Sequence, residues 1–267
     1  MIREPTVSGQ FYPQNKEELK KLIEGFASKA SSKIDAKGII LPHAGYIYSG
    51  KVAAHVVGRI LPKKRIIILG PNHTGLGENF SLWAKGKWRI PFKDVSIDEE
   101  LAQEILRKSD CIKEDYLAHS YEHSIEVELP ILVYFFEDFK FVPMCCQLAE
   151  IKRYQKVAEQ IFEAIKLVKE EILFVASSDM SHYEPEPTAR RKDRIALESI
   201  LNLDEKELIR KVKKENISMC GVSPVSILIS CMKKMKADKA EVVLYQTSGQ
   251  VSGDYSSVVG YAGIVVS

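Results

Sequence analysis

Two hydrophobic rhythms alternate along the chain. Short apolar runs recur at GIIL (38 to 41), RIIILG (65 to 70), KFVPMCC (140 to 146), EILFVASS (171 to 178), EVVLYQ (241 to 246) and SSVVGYAGIVV (256 to 266). Runs of this length, bounded by turn-forming residues, read as buried strands. Between them, apolar residues return near a 3.6-residue period over 16 to 29, 49 to 61, 98 to 108, 122 to 137, 150 to 169, 188 to 200, 204 to 214 and 223 to 236, the spacing of amphipathic helices. This alternation predicts an α/β fold whose central sheet is covered by helices on both faces. FSLWA and KWRI (80 to 84, 87 to 90) predict an inserted hairpin closed around Lys85-Gly86. The Pro-rich, charged stretch from Tyr183 to Arg194 reads as the most loop-like segment. With no internal repeat and no low-complexity linker, the expectation is one domain over residues 1 to 267.

Open α/β sheets bind ligands beyond the carboxyl ends of their strands, so the residues after each apolar run carry the functional signal. Three of the six histidines stand there: His43 after GIILP, His73 after RIIILGPN and His182 after ILFVASSDMS. Small and turn-forming neighbours (Pro42, Gly45, Gly70, Pro71, Gly75, Ser177, Ser178, Ser181) let the backbone bend sharply and aim each ring into a shared crevice. His123, in YEHSIEVELP, reads as the first turn of a helix that also carries Glu122, Glu126 and Glu128. There it is either part of a carboxylate-rich N-terminal turn or a polar arm over the pocket. His55 reads as core or helix surface, and His119 as a loop residue.

Composition narrows the classes of function. Thirty-eight basic and 36 acidic side chains leave a formal charge of +2, so no overall field draws the chain to nucleic acid or an anionic membrane. No apolar run approaches the roughly 18 residues of a membrane span, and MIREPTVSGQFYP lacks the apolar core of a leader peptide. Five cysteines (Cys111, Cys145, Cys146, Cys220, Cys231) show no C-x-x-C spacing, which points to a reducing cytoplasm. Cys145, Cys146 and Cys231 read as core. Cys220 precedes Gly221 and a Ser-Pro helix start, a setting that favours thiolate, so it is the cysteine considered for chemistry.

His43, His73 and Cys220 form a candidate metal set of two imidazoles and a thiolate, suited to iron, copper or zinc. Asp179 and His182, three residues apart in SSDMSHY, supply a carboxylate and an imidazole for proton transfer. Competing chemistries lack their motifs: there is no G-x-S-x-G elbow and no phosphate-binding G-x-x-x-x-G-K-[ST] loop.

Six segments in order, VSGQFYP, LPHAGYIYSG, ILGPNHTG, EHSIEVELP, SSDMSHY and MCGVSPVSIL, together resemble the Memo family over nearly the whole chain. The resemblance implies a three-layer α/β/α fold with a mixed, mostly parallel sheet, similar to class III extradiol dioxygenases. It implies that His43, His73 and Cys220 bind iron or copper, with zinc also compatible, and that His123, His182 and Asp179 line the same pocket. Those dioxygenases carry a carboxylate where this chain has Cys220, and a thiolate softens the site towards copper(I) or zinc. Some microbial relatives are encoded beside a radical-SAM protein, which makes such a protein an expected partner. Two functions follow as expectations: a metal-dependent redox protein acting on a small molecule or peptide in the pocket, or a non-catalytic binding or assembly protein that retains the pocket.

Overall fold

The computed structural model describes residues 1–27, 32–166 and 168–267. In chain order the elements are β1 (Ile2–Arg3), α1 (Lys16–Phe26), β2 (Gly38–Leu41), α2 (Tyr46–Gly58), β3 (Arg65–Pro71), β4 (Phe80–Leu82), β5 (Lys87–Arg89), β6 (Asp94–Ser96), α3 (Glu99–Lys108), β7 (Lys113–Glu114), α4 (Leu117–Ser120), α5 (Glu128–Phe136), β8 (Lys140–Cys146), α6 (Ile151–Ile165), β9 (Ile172–Ser177), α7 (Glu186–Leu201), α8 (Glu205–Lys214), α9 (Val222–Lys234), β10 (Ala240–Thr247), α10 (Gly249–Ser252) and β11 (Gly260–Val266). The expected helical positions 28, 29 and 167 lie outside the described residues.

Eight strands form the main sheet in the order β10-β11-β2-β9-β3-β8-β4-β7. The central set β2, β9, β3 and β8 is parallel, and antiparallel pairings at β10-β11, β11-β2 and β4-β8 flank it. Every residue of β2, β9 and β11 is buried, as a sheet covered on both faces requires. Helices α1, α2 and α5 pack together as one layer, while α9 with α6, α3 and α8 forms the other. The result is a three-layer α/β/α architecture with a mixed, mostly parallel sheet. No helix among the described residues is long and apolar enough to cross a membrane.

Three local expectations are corrected. The strands around Lys85-Gly86 do not pair with each other: β4 joins the main sheet, whereas β5 lies in a small sheet between β1 and β6. Trp88 on β5 is buried against Phe141 and His119, with the Arg3 guanidinium 4.1 Å above its ring, and this packing outweighs hairpin closure. The loop-like stretch after Tyr183 is mostly helix, because Pro185 caps α7 and Pro187 sits in its first turn, where no amide is needed. Finally, α5 begins at Glu128 rather than 122, because the Glu122 carboxylate binds backbone amides ahead of it.

A buried ion pair ties the N-terminal segment to this framework. Arg3 donates to Glu126 Oε2 at 2.7 Å and to the carbonyls of His119 and Glu122 at 2.8 and 2.6 Å. Glu126 also accepts from the Thr6 and Val7 amides and the Tyr12 hydroxyl, at 2.8, 3.1 and 2.8 Å. Burial works against ionisation of Glu126, but Arg3 and these donors outweigh it and hold its pKa below the ordinary 4.5. Replacing one partner of such a pair strands the other charge, so Glu126→Gln is expected to destabilise the fold by about 3–5 kcal/mol in urea unfolding at neutral pH. A depressed carboxyl contributes stability that is fully present above its unfolded pKa and is lost as pH falls through the folded one. The difference between wild type and Glu126→Gln should therefore be constant above about pH 5 and shrink on acidification, read from unfolding midpoints across pH.

Candidate functional site

Parallel pairing of β2 with β9 and of β9 with β3 brings three carboxyl ends to one sheet edge, with Leu41 opposite Ser177 and Leu69 opposite Ala176. His43 follows β2 by two residues, His73 follows β3 by two, and Asp179 follows β9 by two. The His43 amide donates to Asp179 Oδ1 at 2.9 Å, which ties the first and third loops together. The fourth contribution comes from the chain before α9, a helix packed on β3 and β9. Gly221 there donates its amide to Ser178 Oγ at 3.1 Å and sets Cys220 beside Asp179, whose own amide donates to Cys220 Sγ at 3.2 Å.

The segment EHSIEVELP behaves differently from its helical pattern. Residues 124 to 127 form turns ahead of α5, and Glu122 before them bends back to accept the amides of His123 and Ser124, both at 2.9 Å. Its other oxygen accepts the His73 amide at 2.5 Å, and Oε1 also meets His73 Nδ1 at 2.9 Å. Glu122, Glu126 and Glu128 are all buried: the first holds His73, the second holds the N-terminal segment, and the third reaches Ser177 beneath His43. With the helix start displaced, the His123 ring enters the crevice. Phe11 meets it edge-on at 4.9 Å.

His43, His73 and His123 thus form one cluster. Ring centroids are 5.2 Å apart for His43 and His73, 5.5 Å for His43 and His123, and 4.9 Å for the stacked pair His73 and His123. One donor atom from each lies within 4.8 Å of the other two, close enough to share an ion. Of the sequence candidates, Cys220 joins this cluster through His43, with Sγ 3.4 Å from Nε2. Asp179 bonds to both His43 and Cys220, while His182 falls outside the trio, its Nδ1 2.8 Å from the Ser218 carbonyl. His119 is buried in α4 and contacts Cys145, apart from the site.

The electrostatics divide the rings. Burial, then the neighbouring His123 and His73, lowers the His43 pKa well below the ordinary 6.5, and burial lowers that of His123. Burial also opposes protonation of His73, but the hydrogen bond and charge of Glu122 win and raise it. Glu122 in turn falls to about 2 despite its burial, because His73 stabilises the carboxylate. Burial pushes the Asp179 carboxyl above its ordinary range, against the opposing charge of His182 and the amide hydrogen bond from His43. The expected thiolate at Cys220 is not what the surroundings favour: burial, followed by the Asp179 charge, pushes the thiol up.

Sequence reasoning missed Glu122 as the partner that orients His73; it left His123 as either part of a carboxylate-rich turn or an arm over the pocket, with the family resemblance placing it in the pocket lining. The adjacency Glu122-His123 was the available signal, but its helical pattern concealed the turn. A groove of about 720 Å³ lies next to the crevice, lined by Phe11, Pro13, Asn15 and Ile47, and it contains none of the site imidazoles.

Close packing makes Gly221 a test of this assembly. A Cβ there would fall inside contact distance of the Ser178 side chain and 2.6 Å from the Ser177 carbonyl oxygen. Gly221→Ala is expected to lose about 1–3 kcal/mol through this overpacking, measured by chemical denaturation.

The full length of the chain has relatives. A family model described as Memo-like protein matches residues 3–265. A MEMO1 family protein from Methanopyrus kandleri is 42% identical over 279 aligned residues, covering 99% of both chains. One from Aquifex aeolicus is 44% identical over 268, covering 99% of this chain and 98% of its own. Among solved structures, an uncharacterized protein (JW3007) from Escherichia coli superposes with a TM-score of 0.56 at 11% identity, covering 85% of this chain and 98% of that one, a likeness of fold alone. With matches of this extent and identity, the chain belongs to the Memo family.

Proposed function

We propose that this is a metal-binding redox protein in which His43, His73 and His123 hold iron or copper, Cys220 adjoins His43 as a sulfur donor, and Asp179 and His182 manage protons for a small molecule in the crevice. The observation that supports this reading is the convergence of three imidazole donors within 4.8 Å of one another. Burial keeps His43 and His123 neutral, the form in which imidazole offers a lone pair to a cation. Zinc suits the same donors but would bring no electron transfer. Bound iron or copper supplies Lewis acidity and one-electron chemistry.

The chain's own groups complete the reading. Glu122 fixes the orientation of His73 through its Nδ1, as outer carboxylates do for ligand imidazoles. Asp179, its pKa raised by burial, is the carboxylate at the crevice placed to take up a proton. His182 faces the Ser218 carbonyl with Nδ1, which must then bear hydrogen and leaves Nε2 as the ring nitrogen free for proton exchange.

A second reading, ligand binding without turnover, draws support from exposed apolar side chains close in sequence to the site, Ile47 and Tyr183 at 60% and 80% exposure. In that case the metal-loaded protein consumes no oxygen with any reductant or small-molecule substrate offered.

Protein prepared without a histidine tag should take up iron or copper stoichiometrically by elemental analysis. His43→Ala and His73→Ala should each weaken uptake more than the about 10–100-fold typical of outer-shell changes. Wild-type protein that binds neither ion with defined stoichiometry would refute the proposal.

A further inference from the structure

Behind His43 lies a small polar network that the reading above does not use. Ser177 Oγ has three neighbours at hydrogen-bond distance: His43 Nδ1 at 2.7 Å, the Ser124 carbonyl oxygen at 2.8 Å and Glu128 Oε1 at 2.7 Å. A serine hydroxyl offers one hydrogen and two lone pairs. The Ser124 carbonyl can only accept, so that contact is satisfied only when Ser177 gives its single hydrogen there. Both remaining contacts then need a hydrogen from the other side, one on Glu128 and one on His43 Nδ1. The alternative, an ionised Glu128 taking the Ser177 hydrogen, sets two oxygens with no hydrogen between them at Ser124. It also leaves a fully buried charge with a single partner, since Glu128 Oε2 has no hydrogen-bond partner among the described residues.

We propose that Glu128 carries a proton and donates it to Ser177, and that the two act as positioning residues which fix His43 as the neutral Nδ1–H tautomer, with its Nε2 lone pair turned towards Cys220. Surroundings agree: burial raises the Glu128 pKa well above the carboxylate range, and the nearby Asp179 charge adds to it. Tyr46, the other titratable side chain close to Glu128, gives its hydroxyl hydrogen to the Val127 carbonyl and offers Glu128 none. The purpose of the arrangement rests on the metal-site reading, because a ligand imidazole must present a free lone pair. The proton positions themselves do not depend on it.

The test uses metal-free full-length protein. Infrared difference spectra of wild type against Glu128→Gln should show the carbonyl stretch of a protonated carboxylic acid that moves on deuteration, and nitrogen-15 NMR should report His43 as Nδ1–H. Ser177→Ala, which removes the acceptor of the Glu128 hydrogen, should shift that stretch and release the tautomer. Glu128→Gln, whose amide can still donate, should preserve the tautomer. Zinc(II) as the probe ion should bind Ser177→Ala about 10–100-fold more weakly than wild type. Absence of the acid band in wild type, a wild-type Nε2–H tautomer, or a band unmoved by Ser177→Ala would overturn the proposal, and the wild type and Glu128→Gln pair decides it if Ser177→Ala fails to fold. An Nδ1–H imidazole in a protein that binds no zinc, iron or copper would remove the metal reading and leave the positioning network standing.

Discussion

The Arg3–Glu126 ion pair is the constraint on which the crevice depends. One buried carboxylate gathers a guanidinium, two amides and two hydroxyls, and so holds residues 3–12 against the turn that carries His123. A charge this deeply buried is tolerable only when its hydrogen-bonding capacity is filled, and Glu126 meets that condition at both oxygens. Phe11 stands against His123 because its flanks, Val7 and Tyr12, are fixed this way. The neighbouring carboxylates inherit their places: Glu122 and Glu128 lie on the same short segment, one under His73 and the other under Ser177.

How much of this was legible in the sequence follows from which forces were local. The strands β2, β3, β8 and β9 announced themselves as apolar runs, because a strand buried on both faces must be apolar throughout. His43 and His73 were readable for the same reason: each follows such a run directly, and parallel neighbours end together. His123 was not. Its place in the trio depends on Glu122 abandoning helical geometry to bind His73, a partner 49 residues away, while the local pattern of EHSIEVELP favours a helix. The same applies to β5, whose partner β1 lies at the other end of a long separation and is chosen by the burial of Trp88. Cys220 was readable as a site residue but not in its protonation: nearness to a helix start suggested thiolate, and enclosure by protein atoms reversed it.

Membership of the Memo family accounts for the order of the motifs, and the geometry explains why those motifs travel together. LPHAGY, GPNH, EHSIEVELP, SSD and CG are five chain segments that meet at a single sheet edge and bond to one another across it. A change in one is felt by at least one other. The glycines illustrate this without invoking flexibility: a side chain at Gly70 would collide with Ser124 and Ile125, and one at Gly221 with Ser177 and Ser178.

The stacked pair of His73 and His123, with centroids 4.9 Å apart and ring planes nearly parallel, has a further consequence. Two imidazolium rings at that separation would repel, and the shifts run in opposite directions, up for His73 and down for His123. Glu122 therefore biases the pair unequally: it favours a proton on His73 and leaves His123 the ring readier to offer a lone pair.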